Sequence, residues 1–222
     1  MRLSGEVVAD IYLGRVTRWS DPAIKALNPG LLLPDVAIAV LRRFDGSGTT
    51  FNFTAFLSNA SPDFRSQIGS GLVVAWPSGT GAKGNDGMAE ALRRTPNAIG
   101  YVDFAQASRA GLSYALVRNR ANAFVRPGVD SFRAAADSAG FTASADFDVS
   151  LTNASSEAAY PIVAVTYAVM ARRPNTSANS RAAIEFFRWS LDNGGQAASS
   201  LGYVALPRSL MERIKAYWAD NF

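Results

Sequence analysis

Residues 42–57, "RRFDGSGTTFNFTAFL", contain the change from strand to helix that decides the fold. The segment before them, "VAIAVL" (36–41), is a short continuous apolar run, which is typical of a strand buried on both faces. A helical pattern then opens near Ser47 and places Phe53, Phe56 and Leu57 on one face. A buried strand that passes through a tight turn into an amphipathic helix is the repeating unit of α/β proteins.

The rest of the chain alternates in the same way. Short apolar runs predict further strands at 97–102, 112–117 and 161–171, and the last of these is the longest and is rich in β-branched residues. Helical patterns cover 5–14, 20–30, a segment from about Lys83, 103–111, 179–195 and 207–222. The sequence therefore predicts an α/β fold with a mostly parallel sheet.

Three of these helices carry more specific signals. Ser20 or Asp21 stands before Pro22, and proline is favoured in the first helical turn. In the two C-terminal helices the apolar residues recur at helical spacing, so each helix should bury one stripe. The stripes are Ile184, Phe187 and Leu191 in the first helix, and Leu210, Ile214, Tyr217 and Trp218 in the second.

Composition excludes several kinds of site. The 222 residues include no cysteine and no histidine, so Cys/His zinc sites, disulfides and Ser-His-Asp or Cys-His triads are absent. A formal charge of +4 mildly favours anionic ligands. The arginine pairs at 42–43, 93–94 and 172–173 are scattered, which argues against nucleic acid as a partner. No apolar run approaches the length of a membrane span, for which about 18 residues are needed.

The turn at 43–49 has the residue types of an oxyanion site. The N-terminus of a helix presents unpaired backbone N–H groups and the positive end of its dipole. Gly46 and Gly48 let the backbone approach a ligand closely, Ser47, Thr49 and Thr50 can add hydroxyl donors, and Arg43 adds a forked guanidinium. Asp45 can hold Arg43 in orientation or accept a hydrogen bond from a protonated ligand oxygen.

A purely structural interpretation of the same residues stays open. Ser47 or Thr49 can be an ordinary helix N-cap, Asp45 a turn residue and Arg43 a solvated charge. The turn is not a nucleotide P-loop, because GxxxxGK[ST] is absent. The second glycine-rich stretch, "WPSGTGAKGNDGMAEAL" (76–92), lacks that motif as well and is better interpreted as a tight connection into a helix.

Several blocks resemble the phosphate-binding proteins of bacterial high-affinity phosphate ABC transporters. The similarity is carried by "RRFDGSGTTFNFTAFLS" and continues in order through "ADIYLGRVTRWSDPAIKALNPG", "WPSGTGAKGNDG", "NAIGYVDFA", "YPIVAVTYAVM" and "LPRSLMERIKAYW". The resemblance implies a class II periplasmic binding-protein fold, in which two α/β lobes close on a dehydrated phosphate. It also implies that Arg43 contacts phosphate and is held by Asp45, while Ser47, Gly48 and Thr49 donate from the helix N-terminus.

The same resemblance predicts the wider role. It implies a periplasmic protein that binds inorganic phosphate and delivers it to the membrane permease of the transporter, with no catalytic residues, metal or cofactor. Phosphoryl-transfer chemistry would need a metal-holding acid, a Walker lysine or an activated nucleophile, and the sequence offers no such motif.

The chain departs from the family at its start. Members carry a sizeable segment before "GEVVADIYLG", with further phosphate-binding loops and an acidic acceptor, and nothing here matches it. Residues 1–157 are then expected to form the family's second lobe, complete and holding the phosphate site, and residues 158–222 the returning strand and helices of an incomplete first lobe. Two expectations follow: weak phosphate binding by this chain alone, and a partner that covers the exposed surface. That partner is either another copy of the chain, in a self-associating structural module, or an N-terminal fragment that supplies the missing lobe.

Overall fold

The computed structural model describes residues 1–141, 147–169 and 178–221. Six strands lie in this part of the chain: β1 (Arg2–Leu3), β2 (Ala39–Arg43), β3 (Thr80–Ala82), β4 (Ala98–Ile99), β5 (Leu116–Arg118) and β6 (Phe124–Val125). The helices are α1 (Gly5–Tyr12), α2 (Pro22–Leu27), α3 (Gly48–Ala60), α4 (Pro62–Gln67), α5 (Gly84–Arg94), α6 (Phe104–Arg109), α7 (Val129–Asp137), α8 (Ala178–Asn193), α9 (Gly195–Ser200) and α10 (Arg208–Asn221).

The strands form two small sheets. One has the order β3-β2-β4 and is parallel throughout, so that β2 is its central strand. The other has the order β1-β5-β6, with a parallel pair followed by an antiparallel one. The predicted α/β fold with mostly parallel pairing is confirmed, and the central position of β2 fixes the place where the 43–49 turn emerges.

Helix boundaries follow the local signals in the sequence. Asp21 caps α2 by accepting from the N–H of Ala23, and Pro22 begins the helix, as predicted. Ser47 caps α3 by accepting from the N–H of Thr50 at 3.1 Å. These side chains satisfy N–H groups that have no partner within the helix.

The main core lies between α1, α3 and both sheets. It contains Tyr12, Phe53, Phe56 and Leu57, each at most 6% exposed. Helix α1 approaches α3 closely at Gly5, where a Cβ atom would lie 2.5 Å from the Cβ of Ala60. The absence of a side chain at Gly5 therefore permits this contact, which presses the buried face of α3 against α1.

A second cluster joins distant parts of the chain. Its buried members are Phe141, Leu151 and Leu210, and Ile214 and Val163 pack against them. Part of the predicted stripe of α10 is thus buried here. In α8 the predicted stripe is only partly covered, because Ile184 is buried while Phe187 and Leu191 are half-buried.

The prediction that 161–171 forms the longest strand is wrong for residues 161–169; residues 170 and 171 lie outside the described part. No strand is formed there, and in the described chain the N–H groups of 162–169 make no backbone hydrogen bonds. A strand requires a neighbouring strand to complete its hydrogen bonds, and β-branched residues alone do not provide one.

Three other strand predictions are displaced. The strand predicted at 36–41 is β2, which begins later, at Ala39. Of 97–102 only Ala98–Ile99 pairs, and the strand predicted at 112–117 is Leu116–Arg118. Apolar runs report burial more directly than pairing, so their ends do not mark where the hydrogen-bonded ladders begin.

Candidate functional site

The site is built where β2 ends and α3 begins. Arg43 is the last residue of β2, and its side chain is only 8% exposed. Its Nε donates to Oδ1 of Asp45 and its Nη2 donates to Oδ2, each at 2.6 Å. This is a two-point charge-assisted pair, the geometry that aligns a planar guanidinium with a carboxylate.

Hydrogen bonding from Arg43 holds the pKa of the Asp45 carboxyl well below its usual range. The N–H of Gly84 reinforces this by donating to Oδ1 of Asp45 at 3.2 Å. Gly84 has φ +67°, a left-handed conformation that glycine adopts without strain. The carboxylate is therefore held by two separate elements, β2 and the start of α5.

Two residues that the sequence interpretation did not single out complete the surroundings of Arg43. The Nη1 of Arg43 donates to Oδ1 of Asn85 at 2.9 Å. The backbone N–H of Arg43 donates to the hydroxyl of Tyr101 at 3.0 Å, and that hydroxyl lies 2.9 Å from Oγ1 of Thr50. Asn85 lies in the glycine-rich 76–92 stretch. Predicting its contact with Arg43 would have required knowing that this stretch lies beside the 43–49 turn.

Ser47, Gly48 and Thr49 do not all offer the same groups. The backbone N–H of Ser47 donates to the carbonyl of Leu72 at 3.0 Å, so this N–H is already paired in the described residues. The Ser47 hydroxyl accepts from Thr50 and keeps its own hydrogen. The N–H groups of Gly48 and Thr49 make no hydrogen bond within the described residues.

These groups line one open cleft of about 1450 Å³. Arg43, Ser47, Gly48 and Thr49 border it together with Asn85. The structure thus brings the sequence-predicted residues together, with Asp45 behind Arg43. Whether they contact phosphate stays a prediction.

Two other kinds of feature are absent from the described residues. No group of three or more Asp and Glu side chains there is placed to hold a metal ion. No helix in the same ranges combines the length and apolar character that crossing a membrane requires.

A family model described as a PBP superfamily domain matches residues 2–193. The chain belongs to the PBP superfamily. This PBP-superfamily chain is 43% identical, over all 222 residues, to the phosphate-binding protein PstS of Xylella fastidiosa strain 9a5c, of which it covers 61%. It is 40% identical over 218 residues to the PstS of Pasteurella multocida, which corresponds to 98% of this chain and 63% of that protein.

The structural comparisons give the same fold. The crystal structure of the ancestral soluble variant of the human phosphate binding protein matches with a TM-score of 0.70 and 20% identity. A human phosphate binding apolipoprotein matches with a TM-score of 0.68 and 19% identity. Each match covers 96% of this chain and 65% of the other. The periplasmic-binding-protein-like fold is confirmed, and the chain spans less than two thirds of the length of these relatives.

We expect Tyr101→Phe to destabilise the protein. Loss of the hydroxyl leaves the buried N–H of Arg43 without its acceptor, which costs about 1–3 kcal/mol. The melting temperature should fall by roughly 2–4 °C for each kcal/mol. Tyr114→Phe is the matched control, because the Tyr114 hydroxyl meets Arg126 at an exposed position. Equal melting temperatures for Tyr101→Phe and wild type would contradict the assigned role.

Lowering the pH should reduce the free energy of unfolding through protonation of Asp45. Because the folded pKa of Asp45 is depressed, its contribution to stability is complete above the ordinary aspartate pKa of about 3.9 and is lost as the pH falls through the folded value. Urea unfolding between neutral pH and acid should therefore show a shallower loss of stability in Asp45→Asn than in wild type. Asp63→Asn supplies an exposed ion-pair control. Parallel wild-type and Asp45→Asn curves would disagree with this prediction.

Proposed function

We propose that this chain is the anion-holding part of a periplasmic phosphate-binding protein that supplies a phosphate ABC transporter. The observation that carries the proposal is the arrangement at the β2–α3 turn. A guanidinium held by Asp45 lines the same cleft as Gly48 and Thr49, whose N–H groups have no partner in the described chain and lie at the N-terminus of a 13-residue helix. Such a site supplies several donors and a positive charge to an oxyanion.

Inorganic phosphate is the ligand that the relatives support. Both curated relatives described above are named phosphate-binding proteins. The residues proposed to contact phosphate are Arg43, Ser47, Gly48 and Thr49, with Asp45 orienting Arg43. For Ser47 the contribution is the hydroxyl, since Leu72 takes its backbone N–H.

The proposed role is binding and transfer and not catalysis. The curated relatives are named for binding, and the chain contains neither histidine nor cysteine for acid–base or thiol chemistry. The proposed partners are inorganic phosphate and the membrane permease of the transporter. A self-associating structural module has no comparable support from the relatives.

We also propose the division into lobes that the family resemblance implies. Residues 1–157 contain the whole β2–α3 site and both sheets. Residues 158–222 contain the 161–169 segment and helices α8 to α10, which would belong to the other lobe. The phosphate would then lie between the two lobes, with the β2–α3 site contacting one side of it.

Backbone amide NMR during titration with inorganic phosphate tests the proposal directly. The amide signals of Gly48 and Thr49 should shift most and saturate together with the guanidinium signals of Arg43. Sodium chloride at matched ionic strength serves as the control for nonspecific charge effects. Saturable shifts that cluster elsewhere, with Arg43 unaffected, would overturn the assignment, as would the absence of any saturable shift.

A further inference from the structure

The guanidinium of Arg43 has a restricted set of hydrogens to offer a ligand. It carries five N–H groups in total. Two of them donate to Asp45 and one donates to Asn85. One hydrogen therefore remains on each of the terminal nitrogens, Nη1 and Nη2. Asp45 does not contact Nη1, so Asn85 determines how many hydrogens Nη1 has left to donate.

The orientation of the Asn85 amide follows from the chemistry of arginine. A guanidinium only donates hydrogen bonds, so the amide oxygen of Asn85 must be the atom that faces Nη1. Asn85 is the second residue of α5, and the preceding Gly84 binds Asp45 through its N–H. One helix end therefore holds both members of the Arg43–Asp45 pair, while β2 and the following turn hold them from the other side.

Charge explains why an amide suits this position. Arg43 and Asp45 together are neutral, so any anion here depends on the remaining donors and on the helix dipole. A carboxylate at position 85 would accept the same hydrogen bond but leave a net negative charge beside the incoming anion. An apolar residue would avoid that charge but release Nη1. Asparagine provides an acceptor without charge.

We propose that Asn85 is a positioning residue that fixes the rotation of the Nη1 amino group of Arg43, leaving one hydrogen on each terminal nitrogen for the anion, without adding negative charge. The predicted effect of Asn85 on phosphate affinity rests on the proposed function. Its predicted effect on the rotation of the Arg43 Nη1 group does not depend on any ligand. The two can therefore be measured separately on the same chain.

The experiment compares wild type with Asn85→Leu and Asn85→Asp. In wild type the guanidinium NMR signals of Arg43 should show restricted rotation about the Cζ–Nη1 bond. Asn85→Leu should release that rotation, whereas Asn85→Asp should retain it. Asn52→Leu is the matched control, because the Asn52 amide donates to the Gly48 carbonyl and not to Arg43. It should leave the guanidinium rotation of Arg43 unchanged.

Phosphate titrations of the same proteins give the second readout. Both substitutions should weaken binding by on the order of tenfold, the equivalent of about one charged hydrogen bond. Only the Asn85→Asp defect should shrink as sodium chloride is added, because it arises from repulsion that salt screens. A structural role in folding alone would not separate the two variants in this way.

The outcomes distinguish the two proposals. Unchanged Arg43 rotation in Asn85→Leu would overturn the positioning role. If wild type binds phosphate, unchanged phosphate affinity in both variants would overturn it as well. If wild type bound no phosphate while Asn85→Leu still released Arg43, the proposed function would fail. Asn85 would then remain a positioning residue for the arginine.

Discussion

Arg43→Met should reduce phosphate affinity by roughly a hundredfold to ten-thousandfold. The variant removes a charge and two available N–H groups while leaving the apolar stem of the side chain. Hydrogen bonds to charged groups contribute about 1.5–3 kcal/mol each, so two of them amount to about 3–6 kcal/mol. Calorimetric titration of wild type and variant side by side measures the difference.

Arg42→Met is the matched control for this prediction. Arg42 precedes Arg43 on β2, and successive side chains of a strand point to opposite faces. The control removes the same formal charge from the same strand but leaves the cleft intact, so its effect should stay below about tenfold. Comparable losses in the two variants would show that net charge, and not the β2–α3 geometry, governs binding.

Joining this chain to the part of the Xylella fastidiosa relative that it does not match should raise phosphate affinity about a thousandfold or more. A ligand held from one side keeps its other side in water, whereas an enclosed and dehydrated ligand gains further and stronger hydrogen bonds. Three additional charged hydrogen bonds correspond to about 4–9 kcal/mol. Titration of the chimera beside the 222-residue chain measures the gain.

Surface features of the chain support the chimera prediction. The N–H groups of 162–169 lack backbone partners in the described residues, and Val169 is 95% exposed. Phe186 and Trp189 on α8 are 59% and 60% exposed. Addition of the remaining segment should therefore also protect the 162–169 amides from hydrogen exchange. Equal affinity and equal exchange in the two proteins would contradict the idea that a second lobe completes the site.

The site was predictable as far as its residues lie close together in sequence. Arg43, Asp45 and Ser47 fall within one strand–turn–helix unit, so spacing and residue chemistry were enough to place them together. Tyr101 and Asn85 reach the same arginine from 58 and 42 positions away. Only the pairing of β2 with its neighbours in the sheet brings them there, and a single sequence does not specify that pairing.

The parts of the fold that could be predicted from the sequence are likewise those set by local contacts. Capping residues predicted the starts of α2 and α3, because a cap acts on the backbone within three residues. The 161–169 segment was misassigned because its apolar pattern records a preference for a sheet without naming a partner. The hydrogen bond between Ser47 and Leu72 could not be predicted for another reason. It joins only backbone atoms, so the residue types in the sequence do not indicate it.

That backbone contact has a consequence for how the gene tolerates change. Leu72 and Val73 are 58% and 64% exposed, so a substitution scan should find many residues acceptable at either position. The Leu72 carbonyl nevertheless fixes the residue that caps α3, and the N–H of Gly71 binds the Thr54 hydroxyl inside that helix. Codon deletions between 70 and 74 should therefore be selected against far more strongly than replacements of Leu72 or Val73. In sequence terms, this loop is constrained in length, while positions 72 and 73 are free in identity.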